Sequence, residues 1–190
     1  MTRIVAGSAR GRRLKVPADG TRPTSDRVRE ALFSSLEAGS IVRGARVLDL
    51  YAGTGALGLE AASRAAAEVV LVDSAADAVR IMTENARTVA RPSVTVRRAA
   101  VADYLAGPPR PFDLVLLDPP YDLPRQAVEA VLEALTGGWL ADSAMVVVER
   151  GRRDPQITWP SAFDDHWERR FGDTHVLRAV WYGRLQDPQP

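Results

Sequence analysis

One glycine-rich segment indicates how this chain folds: Asp49-Leu50-Tyr51-Ala52-Gly53-Thr54-Gly55-Ala56-Leu57-Gly58. Its first residues end an apolar run, Arg46–Tyr51, that is typical of a buried strand, and its last residues open a helical pattern over Ala56–Arg64. Glycines in this position let the backbone turn tightly and lie against a ligand. Asp73 comes 20 residues after Gly53, where a carboxylate can accept the two hydroxyls of a ribose. The segment therefore predicts a nucleoside-binding loop between a strand and a helix.

Outward from this loop, strand and helix patterns alternate. Further strands are predicted at Val69–Asp73, Val94–Arg98, Phe112–Asp118 and Ala144–Val148, and helices at about 75–89, 101–106 and 124–136. Near-continuous Val/Leu strands separated by helices indicate a parallel sheet that is covered on both faces. Trp167–Phe171 and His175–Tyr182 flank a Gly-Asp-Thr turn, which favours an antiparallel hairpin. We expect an α/β, Rossmann-like sheet that is mostly parallel and has a C-terminal antiparallel hairpin.

The segment before this pattern is basic. Residues 1–30 hold eight basic and three acidic side chains, a net charge of +5, which leaves −4 for the rest of a chain whose total is +1. Arg3–Ala6 and Arg13–Val16 predict a small hairpin, and Thr24–Glu37 predicts a helix with Thr24 or Ser25 as its N-cap. Such a charge favours a polyanionic partner, although a solvated terminus is the alternative. The candidate RNA-binding residues are Arg3, Arg10, Arg12, Arg13 and Lys15.

These patterns predict three parts. Residues 1–43 form a basic extension, residues 44–185 form the α/β domain, and residues 186–190 form a tail that should fray. The chain has no cysteine, which excludes disulfides and thiolate metal sites, and His166 and His175 lack the spacing of metal ligands. No apolar run approaches the ~18 residues of a membrane span, and no secretory signal is evident. We expect a metal-free, cytoplasmic protein, with a monomer as the default.

A second motif, Asp118-Pro119-Pro120-Tyr121, ends the fourth strand of the α/β pattern. Ligands in open α/β sheets bind at the carboxyl ends of the strands near the point where strand order reverses, so this motif should face the glycine loop. An exocyclic amino group of a base is a poor nucleophile, and the Asp118 carboxylate and the Pro119 carbonyl can orient it. Tyr121 can stack on the base, and Asp118 can stabilise the positive charge that grows on nitrogen. An ordinary turn after a buried strand is the alternative.

The position of Asp49 bears on the cofactor. Pyrophosphate cofactors fit a helix N-terminus with exposed amides, whereas S-adenosylmethionine has no phosphate and carries an ammonium that needs an acceptor near the loop. Asp49, at the end of the strand before the loop, can supply that acceptor. Its alternative role is to cap the helix or stabilise the loop.

Two N-terminal segments, Arg3–Leu14 and Arg22–Phe33, together with the loop and the tetrapeptide, resemble the RsmD family. Its members are bacterial S-adenosylmethionine-dependent methyltransferases that act on the N2 amino group of a guanine in small-subunit (16S) ribosomal RNA. The resemblance covers nearly the whole chain, and the N-terminal segments are its specific part. It implies that the substrate is this RNA in a partly or fully assembled subunit.

The resemblance also implies roles for individual residues. The glycine loop would hold the methionine part of the cofactor, Asp73 the ribose, Arg22 and Thr24 the methionine end, and the tetrapeptide the guanine. Family members often have Asp or Asn after the third strand to meet the adenine, whereas this chain has Ala100 and Val101; backbone contacts or Asp103 would take that part. The predicted cofactor-binding residues are Asp49, Tyr51, Ala52, Gly53, Thr54, Gly55, Gly58, Asp73, Ser74, Ala100, Val101, Arg22 and Thr24.

Three other functions compete. A methyltransferase for exocyclic amines in DNA or other RNAs uses the same tetrapeptide, but 190 residues leave little room for a segment that reads sequence. A nicotinamide-dependent oxidoreductase shares the glycine pattern but gives no reason for the tetrapeptide. A non-catalytic RNA-binding assembly factor would be separated from the enzymes by a measurement of cofactor binding.

Overall fold

The computed structural model describes residues 2–17, 25–89 and 93–183, and nine strands and five helices follow one another within these ranges. The strands are β1 (Thr2–Arg3), β2 (Arg13–Leu14), β3 (Arg46–Leu50), β4 (Glu68–Asp73), β5 (Val94–Arg98), β6 (Phe112–Leu117), β7 (Leu140–Gly151), β8 (Phe163–Phe171) and β9 (Thr174–Trp181). The helices are α1 (Asp26–Ala38), α2 (Ala56–Ser63), α3 (Ala76–Val89), α4 (Val101–Leu105) and α5 (Arg125–Leu135).

Seven strands form one sheet in the order β5-β4-β3-β6-β7-β9-β8. The first five are parallel, β9 is antiparallel to β7, and β8 pairs antiparallel with β9 at the edge. Buried Val and Leu side chains on both faces of β3, β4 and β6 pack against helices, which explains the continuous apolar runs. The predicted α/β fold, including its antiparallel end, is confirmed.

The position of the crevice follows from the strand order. The chain leaves β3 toward β4 and β5, then returns to the other side of β3 to form β6. Leu50 and Leu117, the last residues of β3 and β6, are paired in register, so the loops after them leave the same edge of the sheet side by side. That edge is where ligands bind in open α/β sheets.

The N-terminal hairpin is present, with only two residues in each strand. Glu60 of α2 is fully buried and accepts the N–H groups of Val5 and Ala6 at 2.8 and 2.9 Å. The Arg64 Nε donates to Glu60 at 2.8 Å, and the Arg29 Nε lies 3.5 Å from it. A buried carboxylate is tolerated when it is paired in this way. The carboxylate that anchors the hairpin through these N–H groups thus belongs to a buried ion cluster.

The hairpin turn lies against the last residue of α2. Gly7 has φ +82°, and a Cβ there would lie 2.0 Å from the carbonyl oxygen of Ser63, so only glycine fits. The Ser63 carbonyl accepts the N–H of Ser8 at 2.9 Å, and its hydroxyl accepts that of Ala9 at 3.0 Å. Ser25, one of the two predicted N-caps, immediately precedes α1, and its hydroxyl accepts the Val28 N–H.

No helix in the described ranges is both long and apolar enough to cross a membrane. Within the same ranges, no cluster of three or more His, Asp or Glu residues could hold a metal ion.

Candidate active site

A cavity of about 1020 Å³ opens at the carboxyl ends of β3, β4 and β6. It brings the glycine loop and the tetrapeptide together. The predicted residues that line it are Asp49, Tyr51, Ala52, Gly53, Thr54, Asp73, Ser74, Ala100, Val101, Asp118, Pro119, Pro120 and Tyr121. Gly55 and Gly58 shape the loop without lining the cavity, and Arg22 and Thr24 lie outside the described residues.

Asp49 is a buried carboxyl group in the wall of the cavity. It is 1% exposed, its Oδ2 accepts the Gly58 N–H at 2.8 Å, and its Oδ1 has no hydrogen-bond partner among the described residues. Burial raises the pKa of Asp49 to about 8; the Gly58 hydrogen bond opposes the shift, and the charges of Asp118 and Asp73 add to it. A cation placed against Oδ1 would ionise this group and gain a charge-assisted bond.

Gly58 makes the position of Asp49 possible. A Cβ at Gly58 would lie 2.3 Å from Cδ2 of Leu71 in β4 and 3.0 Å from Oδ2 of Asp49. Glycine therefore lets the first turn of α2 approach both the sheet and the carboxylate, as expected of the third glycine in this pattern.

Asp73, the last residue of β4, also contacts the glycine loop. Its Oδ2 accepts the Gly53 N–H and its Oδ1 accepts the Ala75 N–H, both at 2.9 Å. Each carboxylate oxygen can accept a second hydrogen bond, so these contacts fix the side chain without using all its acceptor capacity. Asp73 thus orients the loop and still presents two acceptors to a ligand.

The start of the loop is held in an unusual conformation. Tyr51 has φ +60°, a region that non-glycine residues seldom adopt and that recurs at functional sites. Burial also raises the pKa of the half-buried Tyr51 phenol. The next residue, Ala52, donates to the Val72 carbonyl at 3.0 Å and accepts the Gly55 N–H at 2.7 Å. These bonds keep the loop in place beside the sheet.

The tetrapeptide lies at the mouth of the cavity. Asp118 is partly buried, Pro119 is buried, and the Tyr121 ring is 59% exposed. The turn is supported from behind by Arg150 near the end of β7, which is 4% exposed and donates to the Leu123 carbonyl at 3.1 Å. A carboxylate, a proline carbonyl and an exposed aromatic ring therefore stand together beside the glycine loop.

The cavity also has an apolar wall that the sequence patterns did not predict. It is formed by α4, α5 and the segments that adjoin them, and its members are Ala102, Leu105, Ala106, Leu123, Ala127, Ala130, Val131 and Ala134. Alanines at 127, 130 and 134 follow helical spacing beside the core face of α5, which is the signal that could have indicated it. Asp103, the suggested substitute for an adenine contact, is exposed and does not line this cavity.

Comparisons with known proteins show the family to which the chain belongs. A family model described as "Conserved hypothetical protein 95" matches residues 2–180. The chain is 37% identical to "Ribosomal RNA small subunit methyltransferase D" of Escherichia coli K12 over 172 residues, which is 90% of this chain and 85% of that protein. The chain belongs to the RsmD family.

Further members of the RsmD family are similar along most of their length. The protein of the same name from Haemophilus influenzae is 36% identical over 163 residues, 82% of each chain. The solved structure of Escherichia coli yhhF superposes with a TM-score of 0.85 at 33% identity and covers 96% of this chain and 98% of that one. The range that the family model matches, residues 2–180, spans the hairpin, the loop and the tetrapeptide.

The predicted RNA-binding residues of this RsmD-family chain lie on the docked hairpin. Arg10, Arg12 and Arg13 are exposed. Arg3 lies 3.5 Å from Asp26, and the Lys15 ammonium lies 2.6 Å from Glu84. Arg10, Arg12 and Arg13 are thus better candidates for contacts with a polyanion than Arg3 and Lys15, which have acidic neighbours.

Asn85 of α3 is a second feature that the sequence patterns did not predict. It is 1% exposed, and its amide joins the hairpin to the glycine loop. The Oδ1 accepts the Lys15 N–H at 2.8 Å, and the Nδ2 donates to the carbonyls of Lys15 at 3.0 Å and Thr54 at 2.9 Å. One side chain therefore fixes two segments that are far apart in the sequence.

Proposed function

We propose that this protein transfers a methyl group from S-adenosylmethionine to the exocyclic N2 amino group of a guanine in small-subunit ribosomal RNA. The observation that carries the proposal is the convergence of Asp118–Tyr121 and the glycine loop on one cavity. The name of the Escherichia coli relative, "Ribosomal RNA small subunit methyltransferase D", supports RNA of the small subunit as the substrate.

The cavity fits this cofactor. The Oδ1 of Asp49, which no described residue bonds, suits an ammonium group, and Asp73 offers acceptors to the ribose hydroxyls. The alanine-rich wall offers a flat apolar surface on which the purine ring of the cofactor can lie. Ala100 has no polar side-chain atom to bond that ring. Its volume of about 1020 Å³ lies just above the roughly 300–1,000 Å³ common for ligand pockets, which favours two occupants, the cofactor and the target base.

The residues of the tetrapeptide would act on the target amine. The Asp118 carboxylate and the Pro119 carbonyl accept hydrogen bonds from the two N–H groups of the amine. These bonds orient its lone pair toward the methyl group that the bound cofactor supplies. Tyr121 stacks on the ring of the base. Positive charge then grows on the nitrogen, and Asp118 stabilises it. Asp118 is too weak a base to deprotonate the neutral amine beforehand, so the proton leaves during or after methyl transfer, to the Asp118 carboxylate or to water, and the methyl donor would leave as S-adenosylhomocysteine.

The test uses labelled S-adenosylmethionine and small ribosomal subunits that lack this methyl group, followed by nucleoside analysis. We expect N2-methylguanosine from the wild type and a rate lower by roughly 10²–10³ from Asp118→Ala, because the developing charge then has no preorganised partner. Asp122→Ala is the control, since Asp122 is exposed and lies just beyond the motif. Label on a ring nitrogen or a ribose hydroxyl, or an undiminished rate in Asp118→Ala, would refute the proposal.

A calorimetric titration separates the other classes of protein. We expect S-adenosylmethionine and S-adenosylhomocysteine to bind and nicotinamide cofactors not to compete. Binding of a nicotinamide cofactor alone would favour the oxidoreductase, whereas binding of neither would favour the non-catalytic RNA-binding protein. Methylation of DNA or other RNA in preference to small subunits would favour the remaining alternative.

A further inference from the structure

Residues 150–154, which comprise the last two residues of β7 and the turn that follows, contain three arginines and one aspartate; we call this segment the 150–154 turn. Arg150 is buried, and its Nε lies 3.0 Å from Oδ2 of Asp154, so these two charges are paired. Arg152 and Arg153 are exposed, and neither guanidinium forms a salt bridge with any of the described residues. The turn therefore displays a net charge of +2 on a part of the chain whose total, beyond the first 30 residues, is −4.

The backbone of this turn is held by hydrogen bonds. The Asp154 Oδ2 accepts the Gly151 N–H at 3.0 Å, and the Asp154 N–H donates to the Gly151 carbonyl at 3.0 Å. The Arg152 N–H donates to the Asp173 carbonyl at 2.8 Å, which ties the turn to the β8–β9 hairpin. Counting the Asp173 carboxylate as well, the local net charge remains +1. A tied backbone presents the two guanidinium groups at lower entropic cost than a loose loop would.

The turn also lies beside the proposed target site. A Cβ added to Gly151 would lie 3.3 Å from Cδ1 of Tyr121, and Arg150 bonds the Leu123 carbonyl just beyond the tetrapeptide. By contrast, the hairpin turn at Gly7 lies against Ser63, the last residue of α2. The eight residues of α2 span ~12 Å from the cavity loop to that point, at about 1.5 Å per residue. The 150–154 turn is thus basic and next to the aromatic ring, whereas the hairpin turn is more distant.

We propose that Arg152 and Arg153 bind phosphates of the substrate RNA next to the nucleotide whose base enters the cavity. This inference rests on the proposed function and adds to it a contact between the protein and the RNA backbone beside the opening of the cavity. Drawing a base out of its stack costs a few kcal/mol, which contacts to the adjacent backbone must offset. Arginine suits this task because its planar guanidinium binds phosphate oxygens in pairs. Such contacts position the RNA and carry no sequence information.

The test compares two double variants that each remove two positive charges. Arg152→Gln/Arg153→Gln changes the turn. Arg43→Gln/Arg87→Gln is the matched control, because both arginines are exposed and lie before β3 and in the last turn of α3, away from the tetrapeptide. Binding of purified, unmethylated small subunits is measured between about 50 and 200 mM salt, and S-adenosylhomocysteine binding and the melting temperature are measured alongside.

In the turn variant we expect weaker subunit binding, a higher KM for subunits with a smaller change in kcat, and unchanged cofactor affinity and melting temperature. The slope of log affinity against log salt should flatten by ~0.7–0.9 for each phosphate that the turn no longer binds. The control should behave like the wild type. A wild-type slope and affinity in the turn variant, or an equal loss of affinity in both double variants, would overturn the inference and leave the proposed function standing. Failure of the wild type itself to bind or methylate subunits would refute the proposed function.

Discussion

Asp49→Asn should change cofactor affinity and stability in opposite directions. In the empty protein, burial raises the pKa of Asp49 to about 8, so most molecules hold this carboxyl protonated at pH 7. A ligand ammonium binds its ionised form, so binding must release that proton. Each pH unit below the pKa costs about 1.4 kcal/mol, or a factor of ten in affinity.

The wild type should therefore bind S-adenosylhomocysteine about 25-fold more tightly at pH 7.5 than at pH 6, with nearly one proton released at the lower pH. Asp49→Asn cannot titrate, so its affinity should vary little over this range. It should also be weaker at pH 7.5 by about 10- to 100-fold, because a hydrogen bond to a charged group contributes roughly 1.5–3 kcal/mol.

The stability of the empty protein should move the other way. The folded-state pKa of Asp49 lies above its unfolded value of 3.8, so between pH 4 and 8 the folded state holds a proton that the unfolded state has released. Raising the pH through this window costs the wild type stability at up to about 1.4 kcal/mol per unit. Asp49→Asn escapes that cost, so its advantage in melting temperature over the wild type should grow from pH 5 to pH 8.

Calorimetry in buffers of different ionisation enthalpy measures the released proton directly, and thermal melting measures the stability. Asp122→Asn is the control, because Asp122 is exposed and its change should leave both profiles as in the wild type. A wild-type affinity that changes less than about threefold between pH 6 and 7.5 would refute the reasoning, since a raised pKa requires a larger change. An Asp49→Asn protein that binds as tightly as the wild type at pH 7.5 would refute the ammonium contact.

Three further predictions concern the hairpin and its supports. Glu60→Ala should lower the free energy of unfolding by about 2–4 kcal/mol, because the N–H groups of Val5 and Ala6 lose their acceptor and two buried arginines lose the carboxylate they share, although each keeps one other carboxylate partner; chemical denaturation measures this, and a change below about 1 kcal/mol would contradict the cluster. Asn85→Leu should weaken S-adenosylhomocysteine binding and speed hydrogen exchange in residues 2–17, while Thr88→Ala, which removes only a bond within its own helix, should do neither. Neutralising three exposed hairpin charges should flatten the salt dependence of subunit binding by ~0.7–0.9 per phosphate no longer bound, and wild-type binding would mark the hairpin as a solvated surface; the residues are Arg10, Arg12 and Arg13.

The sheet was predictable because its strands are buried runs with little polar interruption. Val94–Arg98 agrees with the structure at both ends, and the other parallel strands agree within two residues except β7. There, the prediction began at Ala144, whereas the strand begins at Leu140. The first residues of β7 lack the pattern of a buried strand, because Asp142 and Ser143 are exposed. Ser143 also has φ +60°, and the pairing with β6 shifts register at this point. A local pattern gives no sign of such an irregularity.

The candidate site was predictable where its residues are neighbours in sequence. The glycine loop and the tetrapeptide each carry their own signature, and strand topology alone brings them together. Glu60 and Asn85 had no such signature, because their partners lie 55 and 70 residues away. On a helix, a glutamate or an asparagine is typical of a solvated face. The contacts that seat the hairpin could therefore be found only from the fold.

The anchoring of the hairpin also sets an order of events during synthesis. The residues that form it are made before their partners, because the acceptors for Val5 and Lys15 are on Glu60 and Asn85, 55 and 70 residues later. At about 5–20 residues per second, the 70 residues between Lys15 and Asn85 take roughly 4–14 s to make. During that interval the set of acceptors that holds the basic segment is incomplete, because Asn85 has not yet been made, and the nascent chain is still attached to a particle rich in RNA. Docking of the hairpin is therefore a late step, and it closes only after the strands β3 and β4 and most of α3 have been made.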